Sequence, residues 1–477
     1  MSMDTELVFR SAREQLALLE RKELSARELL DAHVAQITRH NPTVNAVVTV
    51  DLDTAERVAT AIDDERCAGR PLGPLAGLPI SIKDTHATAG LRTTCGSPLL
   101  ADNVPDADDE IVRRMQVGGV VRLGKTNVPE FAAGSHTFNP VFGVTRNPYA
   151  PTRSAGGSSG GAAAALAAGF QPIADGSDMG GSLRNPASFC NVVGLRPTPG
   201  LVPDPTGLLG YLPMGTAGPM ARTVGDVGLL LSVIAGRHRA DPLSYDSDAA
   251  AYAAPTPASL AGMRVAWAPT LGDRVPVEAD VLDTLAPNVA VFEDLGAHVE
   301  PACPDLDGAF EAFRTLRAVE FEAAFAQMYA ATPDGFKPDL VWNISEGARL
   351  SGPQVGRALA ELTRLQRAAD RFFDDYDVLL APVSQVTPFD AELTWPSMVA
   401  GVEQHDYLGW MESCCLITAL GVPAMSVPGG FTTDGLPVGL QIITRARTEA
   451  TLLAVAAAFE EATAFGLRTP DLEGINR

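Results

Sequence analysis

The stretch Gly156-Gly157-Ser158-Ser159-Gly160-Gly161 runs without a break into Ala162–Ala168, a segment with no polar side chain to offer water. A helix that is apolar all round has to be buried. The glycine- and serine-rich stretch is therefore a tight loop entering a buried element, because a free linker would not be tethered in this way. The chain can supply the enclosure: 477 residues, 46% hydrophobic and 20% charged, allow one large α/β unit or two to three modest domains with a sizeable core. These values also lie away from the charge-dominated composition of disordered chains.

The formal net charge is −22, from 36 basic and 58 acidic residues, so the averaged field repels phosphate backbones and anionic bilayers. Nucleic acid and membrane surfaces are thus not expected partners. Cys67, Cys95, Cys190, Cys303, Cys414 and Cys415 form no C-x-x-C pair, which suits neither a zinc site nor a disulfide framework and points to a reducing cytoplasm. Met1–Glu20 lacks the apolar stretch and cleavage site of a signal peptide. The longest apolar runs, Gly160–Phe170 and Val227–Gly236, are too short to cross ~30 Å of hydrocarbon. Only four of the 36 basic residues are lysines, Lys22, Lys83, Lys125 and Lys337, which singles each of them out.

The first seventy residues read as helices. Ser25-Ala26-Arg27-Glu28 fits a capping box, Leu29, Leu30, Val34 and Ile37 recur on one face with His33 as a core histidine, and His40-Asn41-Pro42 is the expected stop. From Gly73 onward, short apolar runs read as strands: Leu78–Ile82, Val120–Leu123, Val378–Ala381 and Val438–Ile443. Ile111–Met115, Val227–Ile234 and Thr448–Ala462 have helical character between them. This alternation indicates α/β architecture around a buried central sheet. Asp241–Pro257, rich in Ala, Asp, Ser and Pro, reads as a loop between two halves.

Three glycine-rich signals compete for a functional reading. Gly119–Thr126 satisfies the Walker A pattern, yet the interval between its glycines is the strand-like Val-Val-Arg-Leu, and Pro129 interrupts the helix that should follow, so phosphate binding is rejected. Gly156–Gly160 contains G-x-S-x-G, but an α/β-hydrolase needs a downstream acid and then a histidine, and His238, His298 and His405 have no suitable turn context. The third signal is Asp175–Pro186. Its Gly180-Gly181-Ser182 lets successive backbone N–H groups converge beside a serine, a nest able to hold the oxygen of a tetrahedral intermediate.

Taken together, Gly77-Leu78-Pro79-Ile80-Ser81-Ile82-Lys83-Asp84, the Gly156–Gly161 loop and the Gly180-Gly181-Ser182 turn resemble the amidase signature family. The spacing agrees: Ser158 and Ser182 lie 24 residues apart, and Lys83 lies 75 residues before Ser158. The resemblance extends through Leu123–Asn127, Gly194–Thr198, Gly218–Thr223 and Gly435–Gln441. It implies a mixed β-sheet enclosed by helices in an α/β/α unit. Residues 1–70 would be a helical segment packed on the core, 71–240 the signature core, and 241–477 the remainder of the same domain, with a substrate pocket drawn from 310–410. It further implies that Ser182 is the nucleophile, Ser158 a bridging serine after a cis peptide, and Lys83 the base. The amides of Met179, Gly180, Gly181 and Ser182 would form the oxyanion hole.

Elementary chemistry sets the demands on such a site. A serine hydroxyl needs a neighbouring base, and a lysine serves only when neutral, which burial favours. Ile80 and Ile82 alternate with Ser81 and Lys83, so Lys83 leaves its strand on the less apolar face. The competing reading of Lys83 is a surface lysine or one ion-paired with the neighbouring Asp84. Asp178 and Arg184 are expected as a buried structural pair, Ser159 and Ser177 as supporting hydrogen-bond partners, His86 as a residue shaping the pocket, and Cys190 as packing behind the nucleophile. Phe313, Phe321, Phe325, Tyr329, Phe336, Trp342 and the Trp395–Trp410 stretch supply aromatics for an apolar acyl or aryl pocket, or for the core. The expected activity is cleavage of a small amide, anilide, cyclic amide or carbamate, with no metal or organic cofactor. Two alternatives are carried: the A subunit of a glutamine-dependent tRNA amidotransferase, and an inactive binding protein. Pro199-Gly200-Leu201 and Met214–Met220 depart from the segments usual in the amidotransferase proteins.

Overall fold

The computed structural model describes residues 3–474; Met1, Ser2 and residues 475–477, the outer ends of the expected first and last segments, lie outside the described residues. Two sheets form the centre. The smaller contains β1 (Val47–Val50), β2 (Pro79–Lys83) and β3 (Val121–Thr126) in the order β1-β3-β2, with β1 antiparallel and β2 parallel to β3. The larger contains β4 (Ile173–Asp178), β5 (Val193–Arg196), β6 (Thr216–Ala221), β7 (Arg264–Trp267), β8 (His298–Pro301), β9 (Val378–Pro382), β10 (Ala424–Phe431) and β11 (Pro437–Ile443). Its order is β8-β7-β9-β11-β10-β5-β6-β4, parallel only for β8-β7-β9 and antiparallel elsewhere. Helices surround this mixed sheet, as the sequence implies.

The two sheets meet at β2 and β4, and side chains close the seam in place of a backbone ladder. Gln171 Oε1 accepts from the Ser81 N–H (2.8 Å), and the Asp175 carboxylate accepts from the Lys83 N–H (3.1 and 3.3 Å). Every residue of β2 is buried, so these amides need such partners.

The all-apolar segment becomes the helix Gly160–Ala167, buried over its whole length. Arg184–Phe189, also fully buried, packs beside it and against β5, β10 and β11. On the outside, amphipathic helices such as Ala26–Val44 and Gly352–Asp375 turn one face to the core. Ala279–Asp294 and Glu449–Thr463 meet through stacked Phe292 and Phe459 rings, 5.1 Å between centroids. Among the described residues no helix is long and apolar enough to cross a membrane.

Three expectations are corrected. The helix begun by the Ser25 capping box does not stop at His40–Pro42 but continues to Val44, where Asn45 (φ 54°) closes it and the Asn41 side chain accepts from Ala46 and Val47 N–H. The first seventy residues are not wholly helical, because Val47–Val50 pairs with β3. Asp241–Pro257 contains the short helix Ala250–Ala253. His33 is a core residue: it is buried with Nδ1 2.9 Å from Gly169 O, and burial pushes its pKa down to about 3. The Walker-like lysine, Lys125, is enclosed in β3 with Nζ on His86 O (2.6 Å) and Thr88 Oγ1 (2.7 Å), and no phosphate loop forms there.

Close approach fixes the helix after the glycine-rich loop. A Cβ on Gly161 would fall 2.3 Å from Asn127 N and 2.6 Å from Asn127 O. Gly161→Ala is expected to destabilise the protein by about 1–3 kcal/mol through overpacking, read as a lower urea midpoint at unchanged m.

Candidate active site

Lys83 ends β2 and its side chain passes into the seam, where it is sealed from solvent. Its Nζ lies 2.9 Å from each of Ser158 Oγ, Ser159 Oγ and Ser177 Oγ, and 3.4 Å from Ser177 O. Ser158 follows a cis Gly157–Ser158 peptide bond. Ser159 precedes the buried helix, and its N–H donates to Ser182 O (3.2 Å). The competing reading of Lys83 does not hold: the residue is buried, Asp84 accepts from the Thr94 N–H and hydroxyl, and Lys83 Nζ faces hydroxyls. Burial pushes the Lys83 pKa down to about 7, against the opposing pull of Asp175 and Asp178.

The Ser182 turn is braced by a buried charge cluster. Asp178 accepts from Arg184 Nη2 (2.8 Å) and Nε (3.0 Å), with Arg196 Nη1 at 3.8 Å. Its oxygens also accept from the N–H groups of Gly181 (2.8 Å), Leu183 (3.1 Å) and Arg184 (3.4 Å). Arg184 reaches on to Gln441 Oε1 (2.7 Å) and Thr418 Oγ1 (2.9 Å). Burial alone would raise the Asp178 carboxyl, but the two guanidinium groups and these hydrogen bonds outweigh it and hold it well below the usual carboxylate range. The pair thus orders the turn. Of the four N–H groups expected to form the oxyanion cradle, that of Gly181 donates to Asp178. Gly181 is at φ +107°, and a Cβ there would fall 2.7 Å from Cys414 Cβ, so only glycine makes the turn.

Ser158 and Ser182 line one cavity of about 630 Å³ together with Ser177, Met179, Gly180 and His86. Its apolar wall includes Phe131, Leu208, Phe321, Phe325, Met328 and Met411. The aromatic residues named from the sequence therefore divide. Phe321 and Phe325 line the cavity and share one apolar cluster with Tyr329 and Phe336 behind them, while Phe313 packs under Gly180. Trp410 is buried against Phe189 and Phe389. Within 310–410 the wall comes from one helix face ending at Met328; much of the remainder comes from the 199–217 stretch. Cys190 is packed as expected, with Sγ 3.4 Å from Ala155 O and its thiol pushed up by burial.

Asp175, Gln171, Arg317 and Glu320 were not singled out from the sequence. Asp175 carried a readable signal, an acid inside the apolar run Ile173-Ala174-Asp175, where a buried charge requires partners. The other three depend on which distant elements become neighbours.

Known proteins place the chain closely. The family model described as Amidase matches residues 28–453. An acylamidase of Rhodococcus erythropolis is 38% identical over 454 residues, covering 94% of each chain. The A subunit of the glutamyl-tRNA(Gln) amidotransferase of Moorella thermoacetica is 37% identical over 495 aligned residues, covering 98% of this chain and 99% of that one. The crystal structure of a bacterial aryl acylamidase belonging to the amidase signature enzymes superposes with TM-score 0.89 at 30% identity, covering 98% of this chain and 99% of that one.

Removing one partner of the buried cluster leaves a charge uncompensated. Arg184→Met is expected to lower folding stability by about 3–5 kcal/mol, measured by denaturant unfolding; a loss below ~1 kcal/mol would contradict the bracing role.

Proposed function

The chain belongs to the amidase signature family and is an amide-hydrolysing enzyme, and from that premise we propose that it works through Ser182, Ser158 and Lys83, forming a Ser182-linked acyl-enzyme. The observation that carries this reading is the enclosed Lys83 amine at 2.9 Å from Ser158 Oγ, with Ser158 and Ser182 on the wall of one cavity.

Hydrogen-bond arithmetic favours a relay. A neutral amine has two N–H groups and one lone pair. Set among three serine hydroxyls and a carbonyl, it has more acceptors than donors and a lone pair free to receive an O–H. Ser158 fills that role. As Ser182 Oγ bonds to the carbonyl carbon, its proton passes to Ser158 Oγ while Ser158 gives its own to Lys83 Nζ. The N–H groups of Met179, Gly180 and Ser182 hold the developing oxyanion. Collapse breaks the C–N bond, and the amine leaves with the proton returned through Ser158. Water then attacks the ester by the same route and frees the acid. Ser159 and Ser177 keep the amine in register, and Asp178 with Arg184 keep the turn in place.

The apolar wall suits acyl and aryl amides, and the similarity to an acylamidase and to an aryl acylamidase structure supports the same class. The similarity to the amidotransferase proteins keeps a second reading, ammonia release from glutamine in a complex with partner subunits. A panel of anilides, primary amides, cyclic amides, carbamates and glutamine, assayed with the isolated chain, separates them. Turnover of anilides by the chain alone supports the first reading; glutamine turnover dependent on added partner subunits supports the second.

Ser182→Ala, Ser158→Ala and Lys83→Met are each expected to lower kcat by at least ~10³-fold while leaving the unfolding transition in place. Lys83 must be neutral to accept a proton, so kcat should rise with pH through about 7 and level off above. A profile flat from pH 5 to 9, with acylation shown to be rate-limiting, would count against Lys83 as the base.

A further inference from the structure

The seam between β2 and β4 holds two titratable groups that the relay does not use. Asp175, wholly buried, accepts from the Lys83 N–H at 3.1 and 3.3 Å, and its Oδ2 lies 2.5 Å from His86 Nδ1. The His86 N–H in turn donates to Lys83 O (2.9 Å), and His86 lines the cavity with Ser158 and Ser182. Both backbone polar groups of Lys83 are therefore held by this pair. A continuous set of contacts runs from the cavity wall, through imidazole and carboxylate, to the residue bearing the amine.

The charge in this arrangement exceeds what the seam requires. Two residues earlier, the neutral Gln171 meets the same need at the Ser81 N–H. A carboxylate at the Lys83 position satisfies the amide no better, yet it introduces a buried negative charge beside the lysine, a costly choice unless the charge is used.

We propose that Asp175 and His86 are positioning residues for Lys83: the carboxylate pins the lysine against the serine-bearing strand and keeps its amine basic enough to take a proton, and the cavity-side imidazole tempers that charge. The proposal rests on reading Lys83 as the base. Burial is the main influence on the Lys83 amine, and Asp175 is first among the charges opposing it, ahead of Asp178. The other charged groups around the seam are accounted for. Asp84 is bonded to Thr94, and Lys125 from β3 is bonded to His86 O and Thr88. Asp109 accepts from the Ala87 N–H, and Asp178 is matched by Arg184 and Arg196. Among the described residues, His86 is the one ionisable side chain in direct contact with the Asp175 carboxylate.

The experiment reads the base through the nucleophile, without knowledge of the natural substrate. Phenylmethanesulfonyl fluoride is added to the full chain from pH 5 to 9, and adduct formation is followed by intact mass. In the step measured, Ser182 Oγ bonds to sulfur, fluoride leaves, and the Ser182 proton passes to Ser158 as Ser158 gives its own to Lys83. The parent should show a rate rising through about pH 7. Asp175→Asn keeps an oxygen to accept from the Lys83 N–H but removes the charge, so its rising limb should move to lower pH by about one unit. His86→Ala leaves the carboxylate unshared, so its limb should move the opposite way, to higher pH. Limbs coincident with the parent in both variants, whatever the absolute rates, would reduce the pair to a structural tie and overturn the inference. If Asp175→Asn fails to fold, as read by its unfolding transition, the His86→Ala limb decides alone. Adduct that persists in Ser182→Ala, or no adduct in the parent, would instead strike the nucleophile reading itself.

Discussion

Enclosure of one amine is the constraint on which the proposed chemistry rests. Lys83 sits at the end of a strand buried on every residue, at the line where two sheets meet without a shared ladder. In water its amine would be an ammonium and no base; out of water the neutral form is favoured, and nearby carboxylates limit how far that goes. The seam is the structural means to this end. Along it the Ser81 and Lys83 N–H groups find their partners in the Gln171 and Asp175 side chains, which sets a carboxylate beside the lysine.

The turn that carries Ser182 solves a different problem. Convergent backbone N–H groups are an unstable arrangement unless the chain is held, because the same amides would otherwise seek other acceptors. Here Asp178 takes three of the surrounding N–H groups and is itself neutralised by Arg184 and Arg196. Arg184 then ties the turn to β11 through Gln441 and to the helix Glu412–Ala419 through Thr418. These contacts offset part of the cost of burying the charges, and the turn is held by side chains far away in sequence. The Gly181 N–H is drawn into this bracing.

Much of the architecture was legible beforehand. The runs Leu78–Ile82, Val378–Ala381 and Val438–Ile443 became strands within a residue or two, because uninterrupted apolar runs bounded by turn residues have few other fates. The stop expected at Pro42 failed because one turn of helix tolerates a proline when the following Asn45 can close it in the left-handed region. The strand Val47–Val50 escaped notice for a related reason: four residues carry little periodicity, and their state is decided by the exposed edge of β3. The aromatic stretch beyond Phe310 was rich in signal but poor in address. Phe321, Phe325, Tyr329 and Phe336 look alike in sequence and pack in one cluster, yet of the four it is Phe321 and Phe325, on the helix Ala309–Ala331, that also line the cavity.

The sequence by itself determined the serine and lysine motifs, the all-apolar helix behind the glycine-rich loop and the need for a layered core, since each is a local matter of residue type and spacing. Tertiary structure alone decided what surrounds them: the seam that brings Asp175 to the Lys83 amide, the histidine that joins it, and the walls contributed by Phe131, Leu208 and Phe321 from three separate regions. The physical reason is that burial and electrostatic coupling are properties of groups brought together in space. Two residues 92 apart in the chain acquire an interaction only once the strands carrying them lie side by side.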